Sequence, residues 1–328
     1  MERLDRFMAR ANAAYYATRD PFADFITAPE VTQAFGEILG LWAAVVWHSI
    51  GKPDPVILAE AGPGRGTLMQ DALRAIGRMV PDFRAAFSLH LIETSPRLRA
   101  LQQERLPDAT WHETIDALPD GPLLLIGNEF LDALPIRQFV RRGDGWTERF
   151  VQGDAFVEQP AGPPSLSTLA DPVPDGAVIE IGEAARSIAS RLGARLAQQG
   201  GAALFLDYGP EKSAPGDSLQ ALRAARPANP LAEPGSADLT AHVDFQAFAH
   251  AARQAGATVH GPTPQGLFLA RLGLFQRSER LARGQPPAKV MAIMEATRRL
   301  TEPDRMGRLF KAIVLCHPAA PTPPGFET

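Results

Sequence analysis

Apolar positions along the chain follow two rhythms. Phe35, Ile38, Leu39, Trp42 and Val45 recur at helical spacing, which predicts a helix over Thr27–Trp47 with one buried face. Thr27 and Glu30 have the spacing of a capping box, and Pro29 suits a first turn. Residues 1–20 form a second predicted helix. Short apolar runs then alternate with helical stretches. VILAE (Val56–Glu60), FSLHLIE (Phe87–Glu93), ATWHE (Ala109–Glu113), PLLLIGNE (Pro122–Glu129), GAALFLDYG (Gly201–Gly209), ATVHGP (Ala257–Pro262) and LFKAIVLCH (Leu309–His317) are predicted strands. Helices are predicted from the glycine turn to about Met79, over PRLRALQQERL with Ser95 as cap, over GEAARSIASRLGARLAQQG, and over DFQAFAHAARQAG. This alternation predicts an α/β fold: a mostly parallel sheet with helices on both faces.

Three stretches interrupt it. Residues 136–159 read as antiparallel strands with Gly-Asp-Gly at the first turn. Residues 209–243 are rich in Pro, Gly and Ser, and too long for an ordinary connection. Residues 266–308 read as two helices before the last strand. The expected organisation is a helical cap over 1–55 and a core over 56–318. Insertions fall at about 136–177, 209–242 and 266–308, and a flexible tail at 319–328.

Composition narrows the function. The chain has 328 residues, 45% of them hydrophobic, enough for a substantial core. A net charge of -4 gives no basic footprint, so nucleic acid is not an expected partner. One cysteine excludes a disulfide framework within the chain, and seven scattered histidines give no ligand pairing, so no metal is expected. The charged N-terminus lacks a secretory apolar core. The longest apolar run, Leu39–Trp47, is far shorter than the ~20 residues of a membrane span. A soluble, cytoplasmic protein is expected.

The chemistry centres on LAEAGPGRGTL (Leu58–Leu68), with Gly62, Gly64 and Gly66 after the first strand. A P-loop would need Gly-Lys-Ser/Thr, and no lysine is near. A dinucleotide fingerprint would place its third glycine where Thr67 stands. Glu60, at the strand end, would oppose a pyrophosphate held by the turn. It favours a ligand with cationic groups, and S-adenosyl-L-methionine has an amino group, a sulfonium and no phosphate. Glu93 ends the next strand, where an acid accepts ribose hydroxyls in doubly wound folds. The glycines alone are equally consistent with a plain strand-to-helix turn, and Glu93 with a solvated strand end.

GNEFLDALP (Gly127–Pro135) puts Asn128, Glu129 and Asp132 at the carboxyl end of a buried strand, where such sheets bind ligands. An exposed acidic turn is the alternative. Asp207 ends the fifth strand, and ADLTAHVDF (Ala237–Phe245) brings Asp238, Thr240, His242 and Asp244 before a helix. Asp244 can cap that helix. His242 is a candidate general base or a structural hydrogen-bonder.

With these residues in hand the chain resembles the MidA-type methyltransferases, the family of the mitochondrial complex I assembly factor that methylates an arginine. The resemblance is carried by Tyr15–Tyr16, DFITAPEVTQAFGEILGLW, EAGPGRGTLMQDALRA, HLIETSPRLRALQ, NEFLDALPIRQF, LFLDYG, GDSLQALR, ADLTAHVDF, QGLFLARLG and LFKAIVL. The N-terminal region is shorter than the family pattern, and Gly182-Glu183 stands where Ser-Pro is expected after Glu180. The resemblance implies a class I S-adenosyl-L-methionine-dependent, Rossmann-like fold: a seven-stranded sheet with an antiparallel last strand. It implies Thr27, Pro29 and Glu30 over the cofactor, completing a candidate cofactor set with Glu60, Gly62, Gly64, Gly66, Thr67, Glu93, Thr94, Asn128 and Glu129. It also implies a protein substrate presenting an arginine, symmetric dimethylation, and a respiratory complex I subunit as target. The candidate catalytic residues are Glu129, Asp132, Asp207 and His242, the three acids as a guanidinium clamp. The competing functions are methyl transfer to a small-molecule oxygen or nitrogen, and a non-catalytic assembly or binding factor that retains the fold.

Overall fold

A computed structural model describes residues 1–19, 27–165, 172–223 and 226–327. Residue 20 of the first expected helix, Asp24–Ile26 of the DFITAP segment, residues 166–171 of the first insertion, residues 224–225 of the second and Thr328 of the tail lie outside the described residues.

The chain begins with β1 (Glu2–Arg3), α1 (Leu4–Thr18), α2 (Ala28–Val31) and α3 (Gln33–Ser49). There follow β2 (Val56–Ala61), α4 (Thr67–Met79), α5 (Pro81–Ala86), β3 (Phe87–Ile92), α6 (Pro96–Arg105), β4 (Thr110–His112) and β5 (Leu123–Asn128). Four strands come next, β6 (Arg137–Arg142), β7 (Gly145–Gln152), β8 (Ala155–Ala161) and β9 (Val178–Ile181), and then α7 (Glu183–Gln199) and β10 (Gly201–Tyr208). Three short strands, β11 (Gln220–Arg223), β12 (Arg226–Ala228) and β13 (Asp238–Thr240), lead to α8 (Phe245–Gln254) and β14 (Thr258–Pro264). Helices α9 (Gln265–Arg271), α10 (Leu274–Ala282), α11 (Pro287–Thr301) and α12 (Met306–Leu309) precede the last strand, β15 (Phe310–Cys316).

Seven strands form the main sheet in the order β14-β15-β10-β5-β2-β3-β4. β10, β5, β2, β3 and β4 pair in parallel, and β15 is antiparallel to both its neighbours. β2 and β5 lie at the centre, and all six residues of each are buried, which is why they read as unbroken apolar runs. One face of the sheet packs on α3 and α4, the other on α7 and α8. Glycines let α3 and α4 approach closely: a Cβ at Gly36 would lie 2.6 Å from the Leu68 carbonyl oxygen, and one at Gly40 2.7 Å from Ala72.

The first insertion is an antiparallel sheet of β1, β6, β7, β8 and β9, and the second a three-stranded sheet of β11, β12 and β13. Residues 1–55 do not pack as a single cap. Leu4, Phe7, Met8 and Ala11 of α1 join Ile136, Val151, Ala221 and Leu239 of the inserted sheets, whereas α3 belongs to the main core.

The predicted helix over Thr27–Trp47 is broken at Thr32, which is extended (φ -158°) and whose side chain caps α3 through the Ala34 amide at 3.3 Å. The Thr27 side chain makes no cap; Glu30 is instead engaged by the Thr67 hydroxyl at 2.6 Å. Where two helices were expected before the last strand, four form, because Gly273 (φ 88°), the Pro286-Pro287 pair and Pro303 interrupt the run. α10 is tied to α3 by the Arg277 guanidinium, which grips the buried Glu37 carboxylate with bonds of 2.6 and 3.0 Å.

The tail is docked rather than free. Phe326 is buried against Phe268 with ring centroids 5.1 Å apart, and the Trp42 indole donates to the Pro324 carbonyl at 3.2 Å.

Candidate functional site

The carboxyl ends of β2, β3, β5 and β10 open into one cavity of about 570 Å³, roofed by α1, α2 and β13. Its floor is the glycine turn. Gly66 adopts a left-handed conformation (φ 79°) and starts α4 directly, and the Gly62 amide donates to the Ile92 carbonyl at 3.1 Å, holding the turn against β3.

Glu60 lies beneath this turn and is 3% exposed. The Met69 amide, in the first turn of α4, hydrogen bonds to its carboxyl, while Oε2 has no partner. Burial pushes the Glu60 carboxyl up to about 8, against the modest pull of that amide. Two further acceptors on the cavity wall lack partners among the described residues, Asn128 Oδ1 and Asp132 Oδ1. Buried acceptors left open in this way fit a guest rich in donors. Of the lining residues seven are acidic (Glu30, Glu60, Glu93, Glu113, Glu129, Asp132, Asp238) and two basic (Arg65, Arg191), which opposes a phosphate and favours a cation. An amino group, a sulfonium and two ribose hydroxyls match that wall.

Glu93 is held by its own loop. Its carboxylate accepts the Ser95 amide at 2.8 Å and the Gln102 side-chain amide at 3.3 Å, and burial raises its pKa. Gln102 also donates to the Gly64 carbonyl at 2.7 Å and accepts the Trp111 indole at 2.8 Å, so one side chain couples the glycine turn to the acid on β3. Arg105 donates to Thr67, and Thr67 to Glu30, which fastens α2 over the turn.

Beyond β5 the backbone bends at once. Glu129 sits at φ 49°, rare for a residue with a side chain, while its amide continues the ladder to the Leu206 carbonyl at 2.8 Å. Its Oε1 accepts the Ala28 amide and the Asn128 side chain, both at 3.1 Å, and its enclosure lifts the carboxyl to about 7. Asp132 is raised also, by burial first and then by the charge of Glu129. Tyr16 completes this end: its hydroxyl donates to Asp238 at 2.8 Å, and burial raises its pKa well above that of a free phenol.

The structure brings Thr27, Pro29, Glu30, Glu60, Gly62, Gly64, Thr67, Glu93, Thr94, Asn128, Glu129 and Asp132 to this one cavity. Gly66 is behind it, shaping the turn. Asp207 does not line the cavity. It is 1% exposed and its Oδ2 accepts the amides of Phe130, Leu131 and Asp132, so it builds the turn rather than clamping a substrate. His242 is absent from the wall as well. β13 ends at Thr240, the His242 amide is held by the Ser218 hydroxyl at 2.8 Å, its ring meets that of Tyr208 edge-on at 5.6 Å, and the residue lines an adjoining cavity. Asp244 caps α8 through the Ala247 amide.

Tyr208, Tyr16 and Gln102 carried no site assignment in the sequence. Tyr16 was marked only by the Tyr-Tyr pair, and the role of Gln102 depends on how α6 is phased against β4.

Known proteins extend this geometry. A family model described as "Putative S-adenosyl-L-methionine-dependent methyltransferase" matches residues 38–263. The Drosophila melanogaster mitochondrial protein arginine methyltransferase NDUFAF7 homolog is 34% identical, covering 96% of this chain and 80% of that protein. The human protein arginine methyltransferase NDUFAF7, mitochondrial, is 30% identical over 96% of this chain and 79% of its own length. A Burkholderia thailandensis crystal structure with S-adenosyl-homocysteine bound superposes with a TM-score of 0.78 at 25% identity, covering 99% of this chain and 88% of that one. The relatives are named as mitochondrial proteins, which overturns the expectation of a cytoplasmic location. Among the described residues no helix is long and apolar enough to cross a membrane.

Proposed function

The chain belongs to the S-adenosyl-L-methionine-dependent methyltransferase family, and from that premise we propose that it methylates arginine nitrogen in a protein substrate. The observation that carries this reading is the paired carboxyls of Glu129 and Asp132, enclosed at the inner end of an acidic cavity, with Asp132 Oδ1 unpartnered.

Bound S-adenosyl-L-methionine supplies an electrophilic methyl group. Glu60, Glu93 and the glycine turn would hold it, with Thr27, Pro29 and Glu30 above. The rest of the task is the protein's. A guanidinium is protonated at every physiological pH and its lone pairs are delocalised. Glu129 and Asp132 accept its N–H groups, draw positive charge toward the nitrogens they bind, and leave the remaining nitrogen the better nucleophile. A unit-charge pair at 4 Å is worth ~1 kcal/mol in water and ~4 kcal/mol at an effective dielectric of 20, so this clamp needs enclosure. The sheet of β11–β13 and α1, which line the cavity, would provide it. The substituted nitrogen must then shed a proton, and a carboxylate with its pKa lifted to about 7, as at Glu129, is suited to take it. Alignment of the reactants supplies much of the remaining acceleration, of order 7–11 kcal/mol.

The family resemblance extends the proposal to symmetric dimethylation and to a respiratory complex I subunit as substrate; its support is the resemblance. The test is incubation with isotopically labelled S-adenosyl-L-methionine and a lysate from a strain lacking the protein, followed by mass spectrometry. Label on arginine in a protein supports the proposal, and label confined to small molecules refutes it.

A further inference from the structure

A second cavity, of about 330 Å³, adjoins the first. Leu134 and Leu309 line both, so they form the wall between them. Leu309 is 45% exposed, one of few large apolar side chains left open to solvent. The two cavities differ in chemistry. The first is acidic and holds open acceptors. In the second the acids are already satisfied: Glu180 accepts the amide of Ser218 at 3.0 Å and the Gln138 side chain at 2.8 Å, and Asp244 accepts the Ser213 hydroxyl and the Ala247 amide. What remains is largely hydrocarbon, contributed by Ile136, Val243 and Phe248 on the inner side and by Ala214 and Pro215 on the loop between β10 and β11, with Arg186 and His242 as the basic residues of the wall. The volume lies within the usual range of side-chain and small-ligand pockets.

We propose that this second cavity is a substrate subsite, which takes an aliphatic side chain near the target arginine in the substrate's own sequence. The inference rests on the protein-arginine reading of the first cavity. A polypeptide whose arginine enters between Glu129 and Asp132 must continue out of that cavity, and the wall shared at Leu134 and Leu309 makes the second cavity its neighbour. Glu180 and Asp244, already satisfied, offer a polar side chain no open acceptor, and an acidic one would have to reach Arg186 or His242. An aliphatic one would exchange water for Leu134, Leu309 and Phe248. The 209–219 loop thus acts as a specificity element, which accounts for a connection longer than the fold requires.

The test uses fluorescein-labelled nine-residue peptides with a central arginine in a Gly/Ser background. Leu, Ser or Glu is placed in turn at each flanking position. Binding to protein saturated with S-adenosylhomocysteine is read by anisotropy. At one position Leu should bind about tenfold more tightly than Ser, the scale set by burying most of one aliphatic side chain. Filling the cavity with Ala214→Phe, or independently with Ala185→Phe, should erase that gain; S-adenosylhomocysteine affinity reports that each variant is folded. A Leu/Ser ratio near one at every position, a gain that survives both variants, or a preference for Glu overturns the subsite. A parallel series with central Lys separates the two readings. A Leu gain that is equal for Lys and Arg peptides keeps the subsite and removes the arginine specificity. Arginine-dependent binding with no Leu gain does the reverse.

Discussion

The carboxylate of Asp207, at the end of β10, accepts the backbone amide of Leu131 at 2.8 Å, in the turn that follows the neighbouring strand β5. The same oxygen takes the amides of Phe130 and Asp132, so a buried acid fixes the bend that aims Glu129 and Asp132. Asp207→Ala leaves these donors unmatched and should cost about 1–3 kcal/mol of stability, the usual price of a buried unsatisfied polar group. Turnover should fall further than S-adenosyl-L-methionine affinity, because the turn carries the proposed guanidinium clamp. A urea midpoint and calorimetric titration check both. An unchanged midpoint would show that the turn holds without its acceptor.

If Glu60 meets the cationic end of the cofactor, as proposed, it links cofactor binding to pH. Its folded pKa of about 8 lies above the ordinary carboxyl value of 4.5, so the ligand-free protein keeps it neutral at pH 7. A carboxyl raised on folding favours the folded state below its unfolded pKa. That contribution is lost as pH rises through the folded value, here between about 4.5 and 8. A cationic guest favours the ionised form and reverses the trend. Affinity for S-adenosyl-L-methionine should therefore increase from pH 6 to pH 8, with proton release in calorimetry, and Glu60→Gln should flatten the profile. A wild-type profile already flat over this range would remove Glu60 from contact with the cationic end.

On the proposed reading, Glu93 and Gln102 serve the ribose side of the cofactor. Glu93→Ala removes a charged acceptor, and hydrogen bonds to charged groups are worth about 1.5–3 kcal/mol, or roughly 10- to 150-fold in Kd. Gln102→Leu keeps Glu93 but frees the Gly64 carbonyl, so a smaller loss, of about fivefold, is expected. Equilibrium dialysis with labelled cofactor measures both. Equal losses would mean that the two residues act as one unit.

The mostly parallel sheet follows from features visible in the chain. Apolar runs without alternation, separated by helical stretches, fit buried strands joined by helical crossovers, and the capping roles of Ser95 and Asp244 depend only on neighbours three residues away. That the glycine turn and the strand ends would face one cavity was legible for the same reason, since both features are local. The substrate end was not. The carboxyl of Asp207 could point toward the cavity or into the turn, and only the packing of β10 on β5 decides it. His242 lies two residues past Thr240, and alternation along an extended strand would place both on one face; the loss of β13 after Thr240 breaks that parity. Tyr16 meets Asp238 across 222 residues, a contact beyond any sequence period.

The pH dependence of turnover distinguishes a clamp from a base. If Glu129 and Asp132 only position the guanidinium, both must be ionised, and a charged substrate entering an acidic pocket will itself draw their pKa values down. The limiting rate should then be level above pH 6, while kcat/KM, which reports the free enzyme, should rise through the value of about 7 carried by Glu129. If one of them also takes the proton from the methylated nitrogen, kcat should keep a dependence on the same group after substrate binds. Glu129→Gln and Asp132→Asn should each lower kcat by at least about 100-fold on an arginine peptide, the lower range for loss of acid–base catalysis, with cofactor affinity nearly unchanged for Asp132→Asn. Asp132→Glu, which restores the charge but displaces it on a longer stem, should recover only part of the rate. Wild-type turnover by both neutral variants would show that the guanidinium is held elsewhere in the cavity, with Asp238, bridged to Tyr16, as the next acid to remove.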